Sequence, residues 1–333
     1  MSRDEEFLSQ LLRGAEYLAH RRLLTALFRA GARKHGARAT HRFGVGGRGT
    51  LRVRDSLALP AHEVWQPGRR FDLVLRHANL GNEDDLSADY RGAALKLTDG
   101  GAHVVDLLMN TGETTVWCHV AMFSERMRLF LRGELPEFYR RHPDALERYW
   151  GGLRRAPDGY ATLAYYSKLS GVYLARDGSR HACRYRLVPR DYAGTDTGLP
   201  SARDFEAGVL ATERWPEETR PRDALRRAFA AELAAGSIAY RLDVAVRPAV
   251  DDFRDPMYDP CRAWDSDAHP WVALADLELD AEVPAAALEP LRFSIAHAPD
   301  SLGVFPAHAA DDYTSIGHLR ASLYAKASRS RPG

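Results

Sequence analysis

Cysteine is scarce in this chain: Cys118, Cys183 and Cys261 are the only three in 333 residues. They are far apart and form no CxxC or CxxCH spacing, which argues against a disulfide scaffold, a zinc ribbon and covalent c-type haem attachment. An odd, sparse count fits a reducing compartment. Excess charge is missing as well. The net charge is +1 and the isoelectric point about 7.8, so no global field draws in nucleic acid or an anionic membrane. No apolar run approaches the ~18–20 residues of a membrane span, and the N-terminal MSRDEEFLSQLL carries acids where a signal peptide carries bases. The expectation is a soluble cytoplasmic protein with no integral membrane segment. P-loop, GxSxG, HExxH and EF-hand patterns are all absent.

What is present is ordinary in bulk and patterned in detail. Apolar residues make up 45%, charged residues 27% and aromatic residues 10%, enough for a substantial core. From Glu5 to Ala30, Leu8, Leu11, Leu12, Ala15, Leu18, Ala19, Leu23, Leu24, Leu27 and Phe28 follow helical spacing, with Gly31 as the expected stop. The predicted helix packs on the body of the domain rather than on a membrane surface. After residue 40 the period changes to two in TLRVRDS, FDLVLRH, AALKLTD and HVVDLLMN, and again in HACRYRLVP, AYRLDVAV and ALADLELD. These segments predict an antiparallel sheet or barrel built from two distant parts of the chain. Helical stretches are expected near 124–155 and 220–236, with a last helix in SIGHLRASLYAKASR. The fold class is therefore α+β: one domain over 1–333, a β-barrel with flanking helices, 1–32 being the N-terminal helix and 36–328 the core.

Three local patterns carry chemistry. RATHRFGVGG places His41 at the mouth of a glycine-rich run, which leads into a strand and so lacks the setting of a dinucleotide fingerprint. In HLRASLY, Arg320 and Tyr324 are four apart and share a helix face. A guanidinium beside a phenol favours the phenolate, the form in which tyrosine ligates iron, although the ordinary reading is a surface pair. In DLLMNTGET, Asn110 closes an apolar run, where a buried amide needs partners; its ordinary reading is a strand-end turn residue.

Taken in order, these pieces resemble the haem catalase family. RATH resembles its distal-histidine segment, with His41 as the distal histidine and Arg38 at a propionate-binding position. VLRHANL puts Arg76 at a second propionate-binding position. DYRGAALKLTD resembles the following strand, MNTGE puts Asn110 at the distal asparagine, and RASLY supplies Arg320 and the axial iron ligand Tyr324. The fold implied is the antiparallel barrel of the catalase core, without the C-terminal helical extension of full catalases. The chain is closest to the coral-type catalase-related allene oxide synthases and hydroperoxide lyases over about residues 35–328. Thr40 is characteristic of that group, and its hydroxyl is expected to hydrogen-bond the imidazole and weaken catalase activity. Phe123 falls where catalases place an aromatic over the haem.

The resemblance implies a haem b enzyme that cleaves the O–O bond of an organic, fatty-acid hydroperoxide, giving an allene oxide or cleavage fragments. Three alternatives remain open. One is a small catalase or peroxidase. Another is a haem enzyme of specialised biosynthesis acting on an O–O or N–O bond of a small non-lipid substrate. The last is a non-enzymatic haem carrier or sensor. The partners expected are a small hydroperoxide and no nucleic acid, with homo-oligomerisation left open.

Overall fold

The computed structural model describes residues 3–35 and 38–328, with the side chains of 3–8, 35 and 324–328 outside that description. Among the described residues the elements run α1 (Arg3–His35), β1 (Gly44–Val53), β2 (Arg70–Asn79), β3 (Arg91–Asp99), β4 (Ala102–Asn110), α2 (Val120–Leu131), α3 (Leu135–Arg141), α4 (Pro143–Gly152), β5 (Tyr165–Tyr166) and β6 (Gly171–Leu174). They continue as β7 (Arg180–Pro189), α5 (Ala202–Ala207), α6 (Ala224–Ala235), β8 (Ile238–Pro248), β9 (Val272–Glu282), α7 (Ala285–Leu288) and α8 (Ser315–Ser328). The seven expected strands all form. The short β5 and β6 escaped the period-two pattern because two to four residues are too few to show it.

All pairings are antiparallel. The order runs β5-β4-β3-β2-β1-β9-β8-β7-β6, and β5 also pairs with β7. That last pairing closes eight strands into a barrel and leaves β6 as an extra strand on β7. Closure abolishes free edges, and alternation then sends one set of side chains inward. The interior holds Leu51, Val53, Phe71, Leu73, Leu75, Leu95, Leu97, Tyr165, Tyr240, Leu242 and Leu277. A network of polar groups sits at one end of this interior. Fully buried Arg91 donates to Asn79 Oδ1 at 2.5 Å and to the Ser87 and Arg154 carbonyls at 2.6 and 3.0 Å.

Two expectations about α1 need correction. Gly31 does not end the helix, which continues to His35. Ala32 beyond it is buried, so packing of that turn outweighs the ~1 kcal/mol cost of an interior glycine. The buried seam is also narrower than predicted. Tyr17 and Leu24 pack with Ile316, Leu319 and Leu323 of α8 and with Val120 and Phe123 of α2. Leu11, Leu12, Leu18 and Leu23, expected on the apolar face, are exposed. No described helix is long and apolar enough to cross a membrane.

Candidate active site

The site lies on the outer wall of the barrel, across β1 to β4. Strand register aligns two rows of residues there. Gly44 faces Ala78, Ala78 faces Gly92, and Gly92 faces Asn110; beside them Gly46, Arg76, Ala94 and Leu108 form the second row. Period two puts both rows on one face of the sheet. Five of these eight residues are Gly or Ala and make a flat floor, with Asn110 ending the first row on β4 and Arg76 rising within the second row on β2. The glycine run of GVGG is thus part of strand β1 itself. Gly44 is required by close approach, since a Cβ there would come within 2.7 Å of the Arg76 guanidinium carbon.

His41 stands over this floor. Its backbone adopts φ of 57°, a left-handed conformation that is uncommon outside glycine but enriched for histidine. The turn is held by the His41 amide donating to the Leu80 carbonyl at 2.8 Å. Gly92 faces the ring closely: a Cβ on it would lie 2.9 Å from Cε1, 3.0 Å from Nδ1 and 3.2 Å from Asn110 Oδ1. That amide oxygen is buried and has no hydrogen-bond partner. A buried orphan acceptor is costly unless a ligand supplies the donor. The cavity between these groups holds about 80 Å³, and Arg38, Thr40, His41, Arg76, Ala78, Gly92, Asn110, Phe293 and Arg320 are among its walls. A larger open cleft borders α1 and α2, but none of the residues singled out in the sequence lines it.

The electrostatics of the site are one-sided. Burial, then the positive charges of Arg76, Arg320 and Arg38, push His41 down to about 3, while the Ala78 carbonyl opposes them weakly by accepting from the ring. The imidazole is therefore neutral near pH 7. Arg38 donates to the carbonyls of Leu288, Glu289 and Leu291 at 3.4, 3.1 and 2.8 Å. Its Nε lies 3.5 Å from the Glu289 carboxylate, and buried Arg76 reaches the same carboxylate at 3.1 Å. Two guanidinium groups at the mouth thus share one half-exposed carboxylate.

His77, on the opposite face of β2 from Arg76 and Ala78, supports the floor from inside the barrel. It stacks on Tyr160 with centroids 5.2 Å apart, and its ring nitrogens contact the Gly92 carbonyl at 3.3 Å and the Tyr240 hydroxyl at 2.9 Å. Burial pushes it, too, down to about 3. Both histidines thus sit below the ordinary value of about 6.5, so the unfolded chain takes up protons first as pH falls. Their stabilising contribution is complete above pH ~6.5 and is lost as pH drops toward 3. The expected slope is on the order of 1 kcal/mol per pH unit per histidine, and between about pH 6.5 and 5 carboxylates contribute little to it. Tm measured across that window is expected to fall with pH; a flat Tm would contradict it.

The structure brings together six of the eight residues singled out in the sequence: Arg38, Thr40, His41, Arg76, Asn110 and Arg320 all line the cavity. Thr40 lies beside His41, but no hydrogen bond from its hydroxyl to the imidazole is found among the described residues; the ring contacts the Ala78 carbonyl instead. Phe123 does not line the cavity. It stacks on Trp117 at 4.5 Å and packs between α1 and α8, because its helix face is turned toward those helices. The side chain of Tyr324 lies outside the described residues, although α8 continues through its position. Sequence reasoning missed Glu289 and Gly92. No motif marks Glu289, whereas Gly92 could have been found as the one glycine breaking an otherwise regular strand pattern in DYRGAALKL.

No protein-family model matches the chain. It is 33% identical over 297 residues to the allene oxide synthase-lipoxygenase protein of Plexaura homomalla, covering 86% of this chain and 27% of that protein. It is 26% identical over 311 residues to a linolenate 9R-lipoxygenase of Nostoc sp., covering 88% of this chain and 38% of the relative. The chain therefore spans well under half the length of these two relatives. Among solved structures, a bacterial catalase superposes with a TM-score of 0.70 at 18% identity, over 89% of this chain and 58% of the catalase. A fungal catalase gives 0.68 at 18% identity, over 89% and 59%. The closed barrel with its flanking helices has the fold of the catalase core, and the chain is a homologue of part of the Plexaura protein.

Proposed function

We propose that this protein is a haem b-dependent enzyme that cleaves the O–O bond of a fatty-acid hydroperoxide, in the manner of an allene oxide synthase or a hydroperoxide lyase. The observation that carries the reading is the convergence of a neutral imidazole, His41, and an orphaned amide oxygen, Asn110 Oδ1, over a flat floor of small residues. A planar macrocycle with carboxylate arms suits those residues. The His41 ring, seated against Gly92, would face it, and Arg38 and Arg76 already hold a carboxylate at the mouth, that of Glu289.

Arg38 and Arg76 would hold the propionates through charge-assisted hydrogen bonds. Tyr324, one helical turn beyond Arg320, would hold the iron, with the Arg320 charge favouring its phenolate form. When bound, the haem would supply redox-active iron, and an anionic phenolate donor to it favours O–O scission. The remaining roles fall to the chain itself. Asn110 Oδ1 accepts the hydroperoxide O–H and fixes its orientation. His41, neutral and weakly basic, takes a proton briefly and returns it, so it does not hold a proton as a strong base would. The apolar floor and Phe293 exclude water from the reacting end. The similarity to a protein named for allene oxide synthase activity supports the substrate class.

The test is an absorption spectrum of the purified protein, followed by addition of a polyunsaturated fatty-acid hydroperoxide without reductant, and separately of hydrogen peroxide. A high-spin ferric spectrum that is lost in Tyr324→Phe, rapid consumption of the lipid hydroperoxide and little oxygen release are expected. Vigorous oxygen release would make the protein a small catalase instead. Absence of a Soret band after expression with ample haem would overturn the cofactor assignment.

A further inference from the structure

The cysteines are isolated in sequence, yet two of them meet in the fold. Cys118 lies just before His119, the N-cap of α2, and Cys261 lies in the connection between β8 and β9. Their Sγ atoms and a carboxylate oxygen of Asp259 all lie within 4.8 Å of one another, and both thiols are free. The two segments are tied together locally. The Thr115 amide donates to the Pro260 carbonyl at 2.8 Å, the Thr115 hydroxyl lies 3.8 Å from Cys261 Sγ, and the Cys261 amide donates to Asp259 Oδ1 at 2.8 Å.

The two sulfurs are not equivalent. Cys118 is half-buried, whereas Cys261 is buried behind it. The Cys261 thiol donates to Cys118, which lowers Cys118 below the usual thiol range against the opposing effects of burial and the Asp259 charge, with Arg148 helping; the same donation, with burial, raises Cys261. A reachable sulfur with thiolate character beside a protonated one is the arrangement of an attacking and a resolving cysteine. Cys183 is the internal contrast: it sits in the barrel wall, and burial pushes it up to about 12.

We propose that Cys118 and Cys261 form a peroxide-reactive dithiol that closes to a disulfide, at a site separate from the cavity beneath His41. The Cys118 thiolate attacks the terminal oxygen of a hydroperoxide ROOH. An S–O bond forms, the O–O bond breaks, and the alkoxide leaves as ROH after taking a proton, giving a sulfenic acid. The Cys261 sulfur then displaces the hydroxyl, which leaves as water with the Cys261 proton. In sum, two thiols and ROOH give one disulfide, ROH and H₂O: the sulfurs lose two electrons and the peroxide gains them. The bond would clamp the start of α2 to the 259–262 segment, and α2 in turn packs on α8 through Val120 and Phe123. Nothing in this step uses the cavity residues, so it stands whether or not the cavity cleaves hydroperoxides.

The test treats the full-length protein with a small excess of hydrogen peroxide, counts free thiols and maps peptides by mass spectrometry. Loss of two thiols per chain is expected, with a Cys118–Cys261 linked peptide that dithiothreitol reverses. Cys183 should react at least about 10-fold more slowly. In Cys261→Ser, a sulfenic acid at Cys118 should be trapped by dimedone; in Cys118→Ser, Cys261 should stay reduced. His41→Ala should oxidise its thiols as the parent does, which separates this proposal from the cavity chemistry. Unchanged thiols, equal oxidation of all three, or a zinc ion held by the pair in the purified protein would overturn it.

Discussion

Replacing His41 with alanine is expected to lower turnover of a fatty-acid hydroperoxide by about 10²–10⁴-fold, the range for losing a positioned proton-transfer group. Haem content should be unchanged, because the residues assigned to the propionates and the iron lie elsewhere. The variant keeps a Cβ at a backbone φ of 57° and so relieves no strain there, but it removes a buried imidazole whose protonation is suppressed. Acid stability should therefore improve while activity falls. Conjugated-diene loss gives the rate, and the Soret band gives the haem content. A variant with full haem and near-parental turnover would show that His41 does not act on the substrate and would favour the carrier or sensor reading. Because the parent imidazole is held near 3, no activity limb from His41 is expected between about pH 5 and 8, whereas an ordinary histidine would titrate there.

Gly92→Ala is the sharper probe, because it adds one methyl group. Gly92 lies in regular β3 with no left-handed backbone, so alanine costs nothing in conformation and even reduces unfolded-state entropy. The new Cβ would meet the His41 ring at 2.9 and 3.0 Å and Asn110 Oδ1 at 3.2 Å, contacts too tight to keep. His41 and Asn110 must shift apart by a few tenths of an ångström or more. Misplacement on that scale can cost about 10²-fold in rate, and the overpacking against the buried ring lowers Tm. A measured kcat/KM within about threefold of the parent, at equal haem content, would mean that the His41–Asn110 spacing is not what the reaction reads. Loss of haem together with activity would instead show that the position of the His41 ring governs haem binding, which the parent and variant Soret intensities distinguish.

Much of this site is written in short strings. Alternation in FDLVLRH and HVVDLLMN sets which residues face the barrel interior, because a strand with one buried face repeats every two residues. The same period puts Arg76 and Asn110 on the outer wall. Helical spacing in SIGHLRASLYAKASR fixes Arg320 and Tyr324 on one face. RATH, LRHANL, MNTGE and RASLY, taken in order, gave the family resemblance. Each of these readings depends only on neighbours a few residues apart.

Other features depended on chain segments that are distant in sequence. The pairing of β5 with β7 turns a sheet into a barrel, and it rests on two residues, Tyr165 and Tyr166. Glu289 meets Arg38 and Arg76 across more than 200 positions, and no local pattern marks it. Phe123 looked like a cofactor contact but packs with Trp117, because only the placement of α1 and α8 decides which side of α2 is covered. Thr40 sits where expected, yet the left-handed turn at His41 leaves the ring in contact with Ala78 rather than with its hydroxyl. Cys118 and Cys261 are strangers in sequence and neighbours in space. The sequence by itself determined the strands, their inward faces and the residue types of the site, since those follow from short-range periodicity. The tertiary structure decided which charges share a carboxylate, which ring is kept neutral and which sulfurs meet, since burial and charge act between groups that only closure of the barrel and docking of the helices bring together.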